Sequence, residues 1–301
     1  MLKPPPRELF FSRGEPEDPR LGEIVRIVSK RDFAKRDWDV AIIGFPDDRG
    51  ITLNKGRKGA AHAPREIRKW LYRLVPPRND TKIADLGDLV ISEDLAADHK
   101  RAVSEITFAL MHSKKVLLFG GGHDWGFAPI AALLQTGGTG FINFDAHLDV
   151  RASSIPHSGT SFWRALENGV EGKNAIWFGI QSCATAKLHK DYAEAKGGTI
   201  FYGDSPSLEV EKFLESVQIT MARCDCMDLS LDMDVFAMSE APGVSAPQPS
   251  GVPSRIILAL LRQILSFEKV RTFGIYELSP PHDLQDMTAR LAARCAWEVL
   301  R

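Results

Sequence analysis

The 301-residue chain has no apolar run near the roughly 20 residues a membrane span needs. Its opening, MLKPPPRELFFSRGEPEDPR, carries prolines and charges where a signal peptide needs an apolar core. Cysteine is scarce: Cys183, Cys224, Cys226 and Cys295 show no paired zinc-type spacing, and without a secretory signal they read as reduced thiols, so the cytoplasm is the expected compartment. Charge of one sign is also missing. A formal net charge of −1 excludes recruitment of nucleic acid or an anionic membrane by bulk charge. No linker, internal repeat or low-complexity segment divides the chain, and 44% hydrophobic with 26% charged residues is the balance of a folded globular protein.

Strand and helix patterns alternate along most of the chain. Asp39–Phe45, Lys115–Phe119, Phe141–Phe144, Ala175–Ile180, Thr199–Tyr202, Leu229–Met233 and Val270–Tyr276 read as short apolar strands. Ala97–His112, Ala184–Ala195, Leu208–Val217, Ser254–Leu265 and Ala289–Leu300 read as helices. Such alternation predicts right-handed crossovers and an α/β fold with a mostly parallel sheet covered on both faces. Residues 1–35, polar and Pro-rich, read as an arm on the surface or on a neighbouring subunit. Residues 36–301 read as one domain.

Three strand tips carry the chemistry. In GTGFINFDAHLD (Gly138–Asp149), Asp145, His147 and Asp149 follow at two-residue intervals and face one side if the chain stays extended past Phe144. LSLDMD (Leu229–Asp234) repeats the pattern with Asp232 and Asp234. KVLLFGGGHD (Lys115–Asp124) sets three glycines before His123, a tight turn that delivers the imidazole to the sheet edge, with Asp124 expected to cap the following helix. If the tips adjoin, four Asp and two His converge.

Two unit charges about 4 Å apart interact by roughly 4 kcal/mol at an effective dielectric near 20, so such carboxylates stay ionised only with cations among them. Oxygen ligands with a minority of imidazole suit Mn²⁺ better than a thiolate-bound Zn²⁺, and the donors suffice for two ions sharing carboxylates. Single acids at strand ends are usually loop formers or caps. Five acid and imidazole groups at strict spacing on two tips, with Arg151 alone nearby to neutralise them, are not explained that way. The glycine-rich loop after the first strand, with Asn54, Gly56 and Arg57, lies where α/β proteins place binding residues. Trp125 and Trp163 read as packing, and Cys224 and Cys226 as buried thiols alternating on a strand.

GGGHD, DAHLD and SLDMD, with Pro242 and Gly243 downstream, resemble the three signatures of the ureohydrolase family of arginases, agmatinases and formimidoylglutamases, from about Leu21 to the C-terminus. The resemblance implies a three-layer α/β/α fold, a homo-oligomer and two Mn²⁺ per subunit. His123, Asp145, Asp149 and Asp232 would hold one ion, and Asp145, His147, Asp232 and Asp234 the other. FDAHLDVR with HSGTSF, APGVSAP, GFPDDRG and NKGRKGA look most like the formimidoylglutamases. Ser158 stands where arginases and agmatinases have a His before the Gly of the SGT element, and His157 is one position early. Met238 replaces a usual Pro, Ala or Gln. The implied reaction takes N-formimidoyl-L-glutamate and water to L-glutamate and formamide through a hydroxide bridging the metals, with Asp149 moving the proton. Glu277 matches the family's acid for the substrate's cationic nitrogen. Arg151 and Arg57 are the candidates for its carboxylates, with Asn54, His157 and Ser158 in the same substrate-binding set. The alternatives are a urea-releasing agmatinase, arginase or guanidino-acid hydrolase, a non-catalytic metal-binding relative, and a deacetylase-type zinc amidohydrolase.

Overall fold

The computed structural model describes residues 1–205 and 207–301. Its ten strands form one sheet: β1 (Leu2–Lys3), β2 (Arg26–Ile27), β3 (Trp38–Gly44), β4 (Ile83–Leu89), β5 (Ser113–Phe119), β6 (Thr139–Phe144), β7 (Ala175–Ile180), β8 (Thr199–Tyr202), β9 (Cys226–Asp232) and β10 (Val270–Tyr276). The order is β1-β4-β3-β5-β10-β9-β6-β7-β8, with β2 also on β4. Every pairing is parallel except β1 with β4.

Side-chain alternation divides the core into layers. Val40 and Ile42 of β3 join an apolar cluster with the helices Ala63–Leu71, Ser254–Ile264 and Met287–Trp297, while Ala41 and Ile43 join the opposite cluster with Leu95–His112 and Phe127–Leu133. Each fully buried Ile or Leu contributes about 1.5–3 kcal/mol. The result is the expected three-layer α/β/α arrangement.

The structure adds β4, which reads poorly as a strand because Asp85, Gly87 and Asp88 interrupt IADLGDL with residues depleted from strands. Its pairing with β3 shifts register between Ile42 and Ile43, and Gly87 takes φ +91 where the Lys3 carbonyl approaches. The expected arm is also corrected. Residues 2–3 and 26–27 pair with β4 of the same chain, and Leu9, Leu21, Val25 and Phe33 are buried, because this edge of β4 would otherwise leave its backbone groups unpaired. The helix Val210–Arg223 runs six residues past its expected end at Val217.

β5, β10, β9 and β6 are neighbours in the middle of the sheet, so the segments leaving their carboxyl ends meet in one crevice. His123 follows β5, Glu277 follows β10, Asp232 ends β9, and Asp145–Asp149 follow β6.

Candidate metal centre

The glycines before His123 are required by crowding. A Cβ on Gly121 would sit 1.8 Å from the Asp47 carbonyl, and none of Gly120–Gly122 needs a left-handed backbone. The turn delivers His123 fully buried, its ring stacked on Tyr276 at 4.9 Å. Its backbone N–H donates to Glu277 Oε1 (2.9 Å), and Nε2 meets Ser230 Oγ at 2.9 Å. Nδ1 points at three carboxylates: Asp145 Oδ2 at 3.1 Å, Asp149 Oδ2 at 3.2 Å and Asp232 Oδ2 at 3.1 Å. It is in hydrogen-bond geometry with none of them. A single N–H cannot serve three acceptors, whereas a cation among the four groups would.

Beside this lies a second group. His147 Nδ1 is 3.1 Å from Asp234 Oδ2 and 3.5 Å from Asp145 Oδ1. Asp145 therefore offers one oxygen to each group, the disposition of a bridging ligand. Donor atoms of His123, Asp145 and Asp149, and separately of Asp145, His147 and Asp234, lie within 4.8 Å of one another. Asp232 turns Oδ2 to the first group, while its Oδ1 accepts the Asp234 amide (2.8 Å).

Convergence does not come from an extended tip. β6 ends at Phe144, and the chain turns so that Asp149 adopts a left-handed backbone (φ 50), as does Glu277 (φ 65). Asp234 likewise sits in a 3₁₀ turn, Met233–Val235, rather than on β9. Non-glycine residues in this conformation cost on the order of 1 kcal/mol or more, and such strain gathers at functional sites. Asp124 does not cap the next helix, since its carboxylate faces His99.

With only protein groups present, three of the four carboxylates, Asp149, Asp232 and Asp234, are pushed toward their neutral form. Burial and the Asp145 charge push Asp149 up to about 6, and burial with repulsion from Asp234 and Asp145 raises Asp232. Burial pushes Glu277 up to about 8. Against a burial penalty of the opposite sign, the two imidazoles hold Asp145 well below the usual carboxylate range. Four carboxylates facing two imidazoles, with no lysine or arginine paired to them among the described residues, make a donor set that fits two hard divalent cations.

Above the centre opens a cavity of about 220 Å³, walled by Asn54, Arg151, Ser158, His189 and Ser245, with Glu277 beside the ligands. Arg151 Nη1 donates to Asn54 Oδ1 (3.0 Å), and Asn54 Nδ2 donates to Ser158 Oγ (2.9 Å). Two expected wall residues are placed elsewhere. Arg57 donates to the carbonyls of Val244 (2.6 Å) and Ser245 (2.9 Å), which pins the loop carrying Ser245. His157 turns its Nδ1 back to the Gly159 amide (3.2 Å), and neither residue lines the cavity. Sequence reasoning missed Ser230, although it stands two residues before Asp232 on the same strand face. It also missed Ser245, although that residue lies in the APGVSAP stretch, and Thr185 and His189, which no local pattern marks.

The Arginase family model matches residues 38–301. A formimidoylglutamase of Vibrio parahaemolyticus is 33% identical, covering 95% of this chain and 91% of that protein. One from Salmonella arizonae is 31% identical over 91% and 89%. Among solved structures, the formimidoylglutamase of Bacillus subtilis superposes with a TM-score of 0.86 at 27% identity, covering 96% of this chain and 93% of that one. The Trypanosoma cruzi formiminoglutamase with Mn²⁺ gives 0.85 at 27%, over 94% and 97%. With its sheet order, its six donors at neighbouring strand ends and a match that spans nearly the whole chain, this protein belongs to the arginase family.

Proposed function

We propose that the protein is a dinuclear manganese hydrolase of linear amidines that converts N-formimidoyl-L-glutamate and water to L-glutamate and formamide. The observation that carries the reading is the pair of donor groups sharing Asp145 beneath a cavity that has Arg151 on its wall. The named relatives support the substrate.

His123, Asp145, Asp149 and Asp232 would hold one Mn²⁺, and Asp145, His147 and Asp234, with Asp232, the other. When bound, the ions supply the positive charge that makes water a nucleophile near neutral pH. Glu277 spends Oε1 on the His123 amide and keeps Oε2 for an N–H of the formimidoyl group, which orients its carbon. The Asp149 carboxylate, at the cavity floor, accepts the proton of the attacking water and returns it to the glutamate nitrogen as the C–N bond breaks. Arg151 offers its guanidinium to a glutamate carboxylate, and Asn54 and Ser158 hold that guanidinium in place. We assign a homo-oligomeric state and a cytoplasmic location; light scattering and fractionation test these.

The deciding experiment gives the Mn²⁺-loaded protein N-formimidoyl-L-glutamate, arginine, agmatine and guanidinobutyrate in parallel. Formamide and glutamate from the first, with no urea from the others, are expected. Urea from any of them would replace this reading with a guanidino-acid hydrolase.

A further inference from the structure

The residue after the first metal ligand is held as firmly as the ligand itself. Asp124 is fully buried, and a Cβ on Gly50 or Gly122 would meet its Oδ1 at 2.0 and 2.5 Å, so both glycines make room for this carboxylate. Its Oδ2 lies 2.9 Å from Nε2 of His99, a 2% exposed residue of the helix Leu95–His112. The other ring nitrogen of His99, Nδ1, lies 2.9 Å from Nη1 of Arg164 on the helix Ser161–Glu167.

The donors fix the direction of this chain. A guanidinium carries only N–H groups, so His99 Nδ1 must accept, and the ring hydrogen must sit on Nε2 and be donated to Asp124. The imidazole is therefore neutral, in one tautomer, joining a cation to a buried anion. Burial brings Arg164 down to about 10, which leaves it a cation at neutral pH.

The same elements grip the ligand turn from several sides. Trp125 stacks on Phe45 at 4.8 Å and meets the His99 ring at 4.5 Å, edge to face. Ser161, three residues before Arg164, donates its hydroxyl to the His123 carbonyl. The Arg164 guanidinium rests 4.0 Å over the Phe127 ring. Among the described residues no comparable chain of side chains stands behind the His147 group: its turn is held by short-range bonds, the His147 amide donating to Asp145 Oδ1 (2.6 Å), the Ala146 amide to Asp234 Oδ1 (3.2 Å) and the Gln181 amide to the Ala146 carbonyl (2.9 Å).

We propose that Arg164, His99 and Asp124 form a positioning relay that fixes the His123 turn and so sets the affinity of the metal position His123 completes, leaving the His147–Asp234 position largely independent of it. The inference rests on the metal reading of the site. His99 and Arg164 touch neither substrate nor metal; they act through Asp124 on the turn. Outer partners of this kind typically change metal affinity 10–100-fold.

The test is titration of metal-free protein with Mn²⁺, followed by calorimetry and by EPR of the free ion, with thermal melting alongside. A His147→Asn background isolates the position His123 completes. His99→Leu is expected to weaken that position about 10–100-fold while the other keeps its affinity. His99→Gln, whose amide offers an N–H toward Asp124 and an oxygen toward Arg164, is expected to recover it to within a few-fold. Should His99→Leu not fold, Arg164→Leu at a half-buried position serves, with the same selective weakening expected. ¹⁵N NMR of histidine-labelled protein should show His99 with hydrogen on Nε2 in the wild type and lose that fixed tautomer in Arg164→Leu. Unchanged affinities in His99→Leu, equal weakening of both positions with a lower melting temperature, or a wild-type His99 with hydrogen on Nδ1 would each overturn the relay. A wild-type protein that binds no Mn²⁺ would overturn the metal reading and the relay together, whereas failure of the relay alone leaves two normal positions in the variants.

Discussion

Two buried groups of carboxylates in this molecule are treated in opposite ways. Between β4 and the helix Ala63–Leu71, Asp85 and Asp88 close on the fully buried Arg68: Nε to Asp85 Oδ2 at 2.7 Å, Nη2 to Asp85 Oδ1 at 3.0 Å, and Nη1 to Asp88 Oδ1 at 2.6 Å. Tyr72 donates its hydroxyl to the same Asp85. Burial works to lower Arg68, but the two carboxylates outweigh it and hold it well above its ordinary range. At the carboxyl edge of the sheet, the ion-pair partners of Asp145, Asp149, Asp232 and Asp234 among the described residues are imidazoles alone. Where the chain supplies the counter-charge, the cluster is a strut. Where it withholds it, the donors are free to take their counter-charge from bound cations. Asp228 is a third case, buried with neither solution: its Oδ1 accepts the Thr272 hydroxyl at 2.6 Å, Oδ2 has no hydrogen-bond partner among the described residues, and burial pushes it up to about 7.

The contrast breaks first at Asp145, the shared donor. Asp145→Ala should lose at least one Mn²⁺ per subunit and about a thousandfold or more in kcat/KM, since metal charge supplies several kcal/mol and each 1.4 is tenfold. Elemental analysis with steady-state kinetics checks this, and two retained ions would end the bridging assignment. Next comes Arg68→Met, which strands Asp85 in the core. It should cost about 3–5 kcal/mol in urea unfolding while the folded fraction keeps its kcat.

Asp228→Asn sharpens the third case through pH. The folded Asp228 keeps its proton up to about pH 7, whereas the unfolded residue loses it near pH 4. The contribution of Asp228 to stability is therefore full below about pH 4 and falls as pH rises toward 7, by a few kcal/mol at most, then levels off. The variant should lose that part of the slope, as unfolding curves of both proteins at pH 4.5 and 8 would show; parallel slopes would place the titration elsewhere. Chelation tests the withheld charge directly. Restoring Mn²⁺ to a hundred times its dissociation constant should return about 2.7 kcal/mol of stability, visible as a raised melting temperature. Smallest is the wall: Arg151→Ala should raise KM for the anionic substrate by about ten- to a hundredfold, the loss of a charged hydrogen bond worth about 1.5–3 kcal/mol, with kcat little changed. An unchanged KM would remove Arg151 from carboxylate binding.

The converging donors were legible because each tip is local. An apolar run that ends in Asp145 or Asp232 announces both a buried strand and donors just beyond it, whatever turn follows. The extended geometry expected for Asp145–Asp149 is not how these residues converge, because the left-handed Asp149 replaces strand alternation. β4 was illegible for the converse reason. Asp85 contradicts a buried strand until Arg68, 17 residues earlier in the chain, is placed against it. Asp124 read as a helix cap because its partner His99 comes from another helix.

By itself the sequence determined the α/β alternation, the six donors and, through the repulsion of clustered carboxylates and the donor chemistry, the need for hard cations. Only the tertiary structure decided which residues wall the cavity. It turned Arg57 onto the carbonyls of Val244 and Ser245, brought His189 in from a helix that carries no signal of it, and seated the N-terminal strands on β4. Donors at a strand end follow from the backbone periodicity of a few residues. The wall is assembled from loops and one helix brought together by the order of the strands in the sheet, and that order is set by packing across the whole chain.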